Sequence, residues 1–213
     1  MSSLFTPPSS GSTKRKAYFA FYYDDIMRVN NVRNAWKIDH PDGSLNRSFY
    51  DSSLWESKKL QGDDAVKNLI RQGVGYTSVV CVLVGTETWG RRWVRYEIAR
   101  SVIDGRGLLA VHINSLKHHS RLQTDQLGVN PISRMGVARK DNGNLHLCEK
   151  IGDTWKWYAD YTDSVNLPAY LTEPSAGNVR LLSDGTHEYD FVAQTGHKNI
   201  GRWIDSAAQA VGR

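Results

Sequence analysis

The sequence has 213 residues, of which 40% are hydrophobic and 23% charged, a balance that predicts a folded core and excludes extensive disorder. Its net charge of +5 is spread over scattered basic residues without a nucleic-acid motif, which favours a mildly basic surface over DNA or RNA binding. Two cysteines exclude a disulfide framework, and the lack of a long apolar run or signal peptide indicates a cytoplasmic protein without a membrane segment.

The first predicted element follows a Ser/Pro/Gly-rich stretch, residues 1–14, which is typical of a disordered tail. The apolar and aromatic run 17–23 predicts a strand that is buried on both faces. Residues 26–37 have helical periodicity, and Asp24 and Asp25 before them are candidate N-caps. The chain therefore begins with a strand, an acidic turn and a helix.

The next elements repeat this order. A second helix is predicted from Asp63 or Asp64 to about Arg71, followed by the apolar run 79–84 and a polar turn. A third helix carries Trp93 and Glu97 and is closed by Asp104 and Gly105; the run 107–113 is then a further buried strand. Strands alternating with helices predict parallel βαβ units, and thus a doubly wound, flavodoxin-like α/β sheet.

The sequence changes character at about residue 115. Residues 115–143 are polar and rich in turn residues, which predicts irregular structure. Segments 145–149 and 154–158 flank Gly152 and Asp153, as in an antiparallel hairpin. An amphipathic pattern over 198–210 predicts a final helix. We therefore expect a core over 15–114 and a C-terminal extension over 115–213, packed on the core and carrying the hairpin and helix.

Several common catalytic motifs are missing from the sequence. It contains neither of the glycine-rich phosphate-binding patterns and no serine-hydrolase elbow. His118 and His119 are adjacent, so their side chains point apart, and we expect no metal site.

What remains is a set of acidic and aromatic residues near the carboxyl ends of the predicted strands, where open α/β sheets bind ligands. Helical periodicity places Glu97 about 60° from the centre of the core-facing stripe, at the border between buried and exposed surface. The candidate substrate-binding residues around it are Phe21, Tyr22, Tyr23, Asp51, Trp55 and Trp93.

One glutamate among aromatic rings suits a reaction whose leaving group needs no proton. Ordinary glycosidases use two carboxylates because the departing alkoxide must be protonated. The nicotinamide of NAD is already a pyridinium and leaves neutral, so a single carboxylate can stabilise the oxocarbenium-like transition state. The aromatic faces would stack on nicotinamide or adenine.

Each of these residues also has a purely structural interpretation. Trp93 could pack in the core, and Glu97 could be the ion-pair partner of Arg91, Arg92 or Arg95. Tyr22 and Tyr23 could be ordinary core and edge aromatics. The residue pattern alone leaves these alternatives open.

Several ordered motifs resemble a known family. They are Arg28-Val29-Asn30, Val32-Arg33-Asn34 with Trp36, the block 50–56, the run 77–85 and the block 91–98. Between about residues 16 and 114 they resemble the TIR-like subunit of the bacterial Thoeris anti-phage system, and the hairpin 145–158 resembles the C-terminal portion of that subunit.

The resemblance implies a flavodoxin-like TIR fold with a five-stranded parallel sheet flanked by helices. It also implies an enzyme that cleaves NAD as its substrate, with no further cofactor, and cyclises the ADP-ribose into a second messenger. That product would activate the Thoeris effector without stable binding, and TIR domains would self-associate. Trp93-x-x-x-Glu97 matches the pattern of catalytic TIR domains, which assigns the catalytic carboxylate to Glu97. The alternative is a non-catalytic TIR scaffold that signals by TIR–TIR association.

Overall fold

The computed structural model describes residues 15–39, 60–118, 120 and 122–213. Its helices are α1 (Ile26–Asp39), α2 (Asp63–Gly75), α3 (Arg92–Ile103) and α4 (Gly196–Gln209). Its strands are β1 (Ala17–Phe21), β2 (Val79–Val84), β3 (Gly107–His112), β4 (Met135–Arg139), β5 (Leu145–Ile151), β6 (Thr154–Trp157), β7 (Arg180–Leu181) and β8 (His187–Asp190). The predicted tail 1–14 lies outside the described residues.

The central sheet is parallel, with strand order β1-β2-β3-β8. The prediction of five strands is wrong for the part of the chain that the structure describes, where the sheet has four. The fourth strand is β8, whose sequence His-Glu-Tyr-Asp has two exposed and two half-buried residues and no apolar run to mark it. The register aligns the last residues of β2, β3 and β8, so the segments that follow them begin at one edge of the sheet.

Helices cover both faces of the parallel sheet, as the doubly wound prediction requires. One hydrophobic cluster contains apolar side chains of α1 and α4, and the other contains those of α2 and α3. Since side chains alternate along a strand, Phe19 and Phe21 face the α1/α4 side, whereas Tyr18 and Ala20 face the α2/α3 side. The two faces of β1 therefore pack against different helix layers, one formed by α1 and α4 and the other by α2 and α3.

Helix α3 is anchored by Val94, Ile98 and Val102, which are spaced by four residues and are all buried. The helix ends where it was predicted to end. Asp104 follows its last residue, and Gly105 adopts a φ of +58°, a conformation that glycine takes without strain. The sequence thus fixes one face of α3 against the sheet.

A second, antiparallel sheet has the strand order β6-β5-β4-β7. The predicted hairpin is confirmed as β5 and β6, which pair across Gly152 and Asp153. The prediction of irregular structure over 115–143 is wrong at β4, where Met135 and Val137 alternate with smaller residues and point into the core. Apolar side chains of β4 and β5 join the cluster beside α3, so the antiparallel sheet supports that helix.

The boundaries of α4 agree with the predicted final helix to within two residues. Ile200, Trp203, Ile204 and Ala207, which share its apolar side, are all buried. None of the helices in the described ranges is long and apolar enough to cross a membrane.

Candidate active site

Glu97 lies in the middle of α3 on the side that faces β1. Only 6% of its surface is exposed, so its predicted position at the border of the core is wrong. The hydroxyl of Tyr18 in β1 donates a hydrogen bond of 2.7 Å to Glu97 Oε1. A helical wheel counts only the neighbours on the same helix, whereas here a polar group from the sheet allows a carboxyl group to be buried.

Burial changes the acidity of this carboxyl group. Loss of solvent raises the pKa of Glu97 to about 8, and the hydrogen bond from Tyr18 opposes part of that rise. Among the described residues, the second oxygen, Oε2, has no hydrogen-bond partner. Glu97 therefore combines one oxygen that is held by Tyr18 with a second, buried oxygen that has no partner among the described residues, and its pKa lies close to neutral pH.

The interpretation of Glu97 as a surface ion-pair partner is wrong within the described residues. All three neighbouring arginines of α3 and its N-terminus pair with other carboxylates. The pairs are Arg91 with Glu87 at 3.8 Å, Arg92 with Asp63 at 2.6 Å and Asp160 at 2.7 Å, and Arg95 with Glu149 at 3.0 Å. These contacts draw the arginines away from Glu97 and leave it with Tyr18.

The three aromatic residues predicted at the end of β1 do not lie together. The strand ends at Phe21, two residues earlier than predicted, and Phe21 packs on the α1/α4 side, away from Glu97. Tyr22 is half-buried, and the Arg91 guanidinium lies 3.5 Å from the centre of its ring. Tyr23 begins a 3₁₀ turn and is 46% exposed. Of the three, Tyr22 makes the contact closest to the start of α3.

Trp93 lies one turn before Glu97 on α3 and is partly buried against the core. Its ring meets the edge of Tyr96 at 6.2 Å between centroids, and the Arg92 guanidinium lies 4.6 Å from its centre. These contacts give Trp93 a packing role and leave part of the ring accessible. The other two predicted binding residues, Asp51 and Trp55, lie outside the described residues.

Tyr18 was not among the predicted site residues. It stands within a continuous apolar run, where an aromatic residue is most simply interpreted as core. The signal was its hydroxyl, because a buried tyrosine hydroxyl needs a hydrogen-bond partner. That partner is 79 residues away in the chain, so no local pattern could identify it.

A second polar group was also missed at the carboxyl end of the sheet. Arg28 is buried and donates from Nη1 to Asp25 at 2.9 Å and to Asp125 at 2.8 Å, while its Nε donates to the carbonyl oxygen of Leu116. Burial raises the pKa of Asp25, and Arg28 opposes that rise. This cluster joins the segment after β1 to the segment after β3.

The described residues contain no group of three or more histidine, cysteine, aspartate or glutamate side chains that could hold a metal ion. The groups that the structure brings together at Glu97 are one buried carboxyl group and the phenol of Tyr18.

Comparisons with known proteins point to one family. A family model described as "Thoeris protein ThsB, TIR-like domain" matches residues 18–118, a range that contains Tyr18, Trp93 and Glu97. A relative from Bacillus cereus (strain MSX-D12), named "Putative cyclic ADP-D-ribose synthase ThsB1", is 37% identical over 198 residues. That alignment covers 90% of this chain and 99% of the relative.

Proposed function

The chain belongs to the Thoeris ThsB family of TIR-like proteins, and we propose that it cleaves NAD and closes the resulting ADP-ribose into a cyclic second messenger. The observation that carries the proposal is Glu97, a buried carboxyl group with one oxygen held by Tyr18 and the other unpartnered among the described residues. It stands in the Trp93-x-x-x-Glu97 pattern within the matched range, and the name of the relative supports the same activity.

In the proposed reaction, the bond between the ribose C1′ and the nicotinamide nitrogen breaks. Its electron pair goes to the pyridinium nitrogen, so nicotinamide leaves as a neutral molecule without a general acid. The ribose then carries positive charge shared between C1′ and the ring oxygen. The Glu97 carboxylate stabilises that charge, since a preformed negative group in a dry site interacts strongly with a cation.

The protonation state of Glu97 connects substrate binding to this chemistry. With a pKa of about 8, most of the free protein carries a neutral Glu97 at pH 7. The substrate brings a pyridinium cation to the site, and a nearby positive charge favours the ionised carboxylate. The Tyr18 hydroxyl favours the same form because it donates to the carboxylate. Binding of the cationic substrate therefore releases the Glu97 proton to solvent and leaves the carboxylate that the reaction needs.

Ring closure is the second half of the proposed reaction. A nucleophilic atom of the same ADP-ribosyl group attacks C1′ and gives up its proton to the Glu97 carboxylate, and the cyclic product is lighter than ADP-ribose by one water. Glu97 is only 6% exposed, and an active site that excludes water favours this internal attack over hydrolysis. The cyclic product would then activate the Thoeris effector by diffusion rather than through a stable protein complex.

Two side chains at the N-terminal end of α3 are suited to the rest of the substrate. The exposed part of the Trp93 ring can stack on nicotinamide or adenine. Arg91 is held over Tyr22, its pairing with Glu87 is loose at 3.8 Å, and it remains partly exposed. It can therefore bind the pyrophosphate.

The test is to incubate the protein with NAD, alone and with lysate of phage-infected cells, and to measure nicotinamide and the cyclic product by mass spectrometry. We expect Glu97→Gln to reduce turnover by roughly 100-fold or more, as for loss of a principal electrostatic group. Glu173→Gln is the matched control, since Glu173 is an exposed glutamate that pairs with Arg139 and lies outside the proposed site. Full turnover by Glu97→Gln would refute the assignment and favour the scaffold alternative.

A further inference from the structure

The contact between Arg91 and Tyr22 lies on the side of the sheet that carries Glu97. Tyr22 continues the extended backbone of β1, with a φ of −83° and a ψ of 132°. Because side chains alternate along a strand, it faces the same side as Tyr18 and Ala20, closer to the carboxyl edge. Arg91 is the N-cap of α3, which begins after the carboxyl end of β2. The end of β1 and the start of α3 are therefore joined at the carboxyl edge by this contact, and deeper in the fold by the Tyr18–Glu97 hydrogen bond.

Glu97 is closed to a substrate in this arrangement. Its Oε1 accepts from Tyr18, and its Oε2 is buried without a partner among the described residues. The reaction proposed above places the ribose C1′ beside this carboxylate. Side chains between Glu97 and the carboxyl edge of the sheet must therefore move before the substrate binds.

The Tyr22 side chain can move without disturbing the core. The ring is half-buried, and its hydroxyl is hydrogen-bonded to Asp24, an exposed residue of the turn that follows. Between Tyr22 and Tyr18 on the same face of β1 stands Ala20, which is fully buried and has only a methyl group. Rotation of Tyr22 away from the sheet would therefore open the face of β1 towards Tyr18 and Glu97.

Arg91 is the cation that holds the ring of Tyr22, and its own polar contacts are weak. Its guanidinium lies 3.5 Å from the centre of the ring. Its ion pair with Glu87 has a length of 3.8 Å, and its Nε has no hydrogen-bond partner among the described residues. The side chain is 39% exposed, so an anion can reach it from solvent. Phosphate oxygens accept paired hydrogen bonds from a guanidinium, which an aromatic ring cannot do, so a phosphate group competes with Tyr22 for Arg91.

We propose that the contact between Arg91 and Tyr22 makes the active site selective for substrates that carry a pyrophosphate. In the free protein the contact keeps Tyr22 over the approach to Glu97. The pyrophosphate of NAD binds Arg91, which releases Tyr22 and opens the approach. Nicotinamide riboside contains the same bond between nicotinamide and ribose but no phosphate, so it meets a closed site. This inference rests on the proposed cleavage of NAD, but its first two tests need no turnover.

The first test measures the pKa of Glu97 by carbon NMR of the side-chain carboxyl groups in the full chain, with Glu97→Gln to assign the signal. Entry of water lowers a pKa that burial has raised, so Arg91→Gln should lower the pKa of Glu97 by about one unit or more. Loss of a positive charge without opening can only raise that pKa or leave it unchanged, and either result would overturn the proposal. Tyr22→Phe keeps an aromatic face for Arg91 and is the matched control. An equal fall in Tyr22→Phe would also overturn the proposal.

Inorganic pyrophosphate tests the opening step in the native protein at constant ionic strength. If it releases Tyr22, the pKa of Glu97 should fall, whereas an anion that binds without opening the site would raise the pKa of a nearby carboxyl group. The Arg91→Gln variant should show no response to pyrophosphate. A rise or no change in the native protein, or an equal response in the variant, would contradict the proposal.

The third test compares kcat/KM for NAD and for nicotinamide riboside. We expect the native protein to prefer NAD by roughly 100-fold or more, and Tyr22→Ala to raise kcat/KM for the riboside roughly tenfold, because the open form no longer has to be induced. If Tyr22 only stacked on the substrate, the same variant would lower kcat/KM for the riboside, which would refute the proposed selectivity. Absence of turnover of both compounds together with the expected NMR changes would instead refute the proposed function and support the opening of the site by pyrophosphate.

Discussion

Replacing Glu97 with glutamine should stabilise the protein increasingly as the pH rises. The pKa of this carboxyl group is about 8 in the folded protein, against about 4.5 when it is solvated. Between these values the folded protein keeps a proton that the unfolded chain has lost. The free energy of unfolding therefore falls as pH rises through this window, by about 1.4 kcal/mol per pH unit for one group.

The size of the effect follows from the two pKa values. Over the interval from pH 5 to pH 8, ionisation of Glu97 in the unfolded state should remove roughly 3 to 4 kcal/mol from the stability of the native sequence. Glutamine has no such ionisation and keeps an oxygen that can accept from Tyr18. The stability advantage of Glu97→Gln should therefore be small at pH 5 and larger by about 3 to 4 kcal/mol at pH 8.

Urea unfolding followed by tryptophan fluorescence at pH 5 and pH 8 measures this difference. At roughly 1–3 kcal/mol per molar urea, the difference in urea midpoint between Glu97→Gln and the native sequence should grow by about 1 to 4 M from pH 5 to pH 8. Glu87→Gln is the control for removal of an exposed carboxylate. The difference between its urea midpoint and that of the native sequence should be nearly the same at pH 5 and pH 8. If Glu97→Gln shifts the midpoint equally at both pH values, Glu97 is not desolvated and the proposed electrostatics are wrong.

Three further predictions concern other contacts. In the Tyr18→Phe variant, the pH at which kcat/KM reaches half its maximum should be higher by about one unit, and kcat/KM at pH 7 should be roughly tenfold lower, because the Glu97 carboxylate loses a hydrogen-bond donor. The same fractional loss of kcat/KM at every pH would indicate that Tyr18 has only a packing role. Gly85→Ala should lower the free energy of unfolding by about 1–3 kcal/mol, since its new methyl group would meet the Asp25 carboxylate; an unchanged thermal midpoint would contradict this close packing. Hydrogen bonds from Arg92 and Lys67 lower the pKa of Asp160 to about 2. Asp160→Asn should therefore destabilise the protein by up to about 1 kcal/mol at pH 7 and by little at pH 2. Urea unfolding measures both values, and equal destabilisation at the two pH values would argue against the ion pairs.

The sequence predicted best the elements that are buried on both sides. Strand β2 has the predicted boundaries, and α3 carries its apolar residues where periodicity placed them. In both cases burial alone dictates the residue pattern. Strand β8 was missed because it lies at an edge of the sheet, where exposed positions permit polar residues. Strand β4 was missed because its short apolar alternation stands in a polar segment.

The site was predictable only in part, for a related reason. The order of strands and helices predicted that Glu97 lies on a helix that follows a buried strand. Its proposed catalytic role came from the resemblance to the TIR family. Its burial and its bond to Tyr18 depend on a contact between α3 and β1. The predicted cluster of aromatics at the end of β1 separated because the strand ends at Phe21, and the next two residues leave the sheet.

The position of β8 has a consequence for synthesis of the chain on the ribosome. Strand β3 is complete at His112, but its neighbour in the sheet begins only at His187. At about 5–20 residues per second, the free edge of β3 waits roughly 4–15 s for its partner. Throughout that interval the nascent chain presents an apolar strand able to pair with other chains. Slower translation or a shortage of chaperones should therefore reduce the yield of this protein by aggregation before the last helix is made.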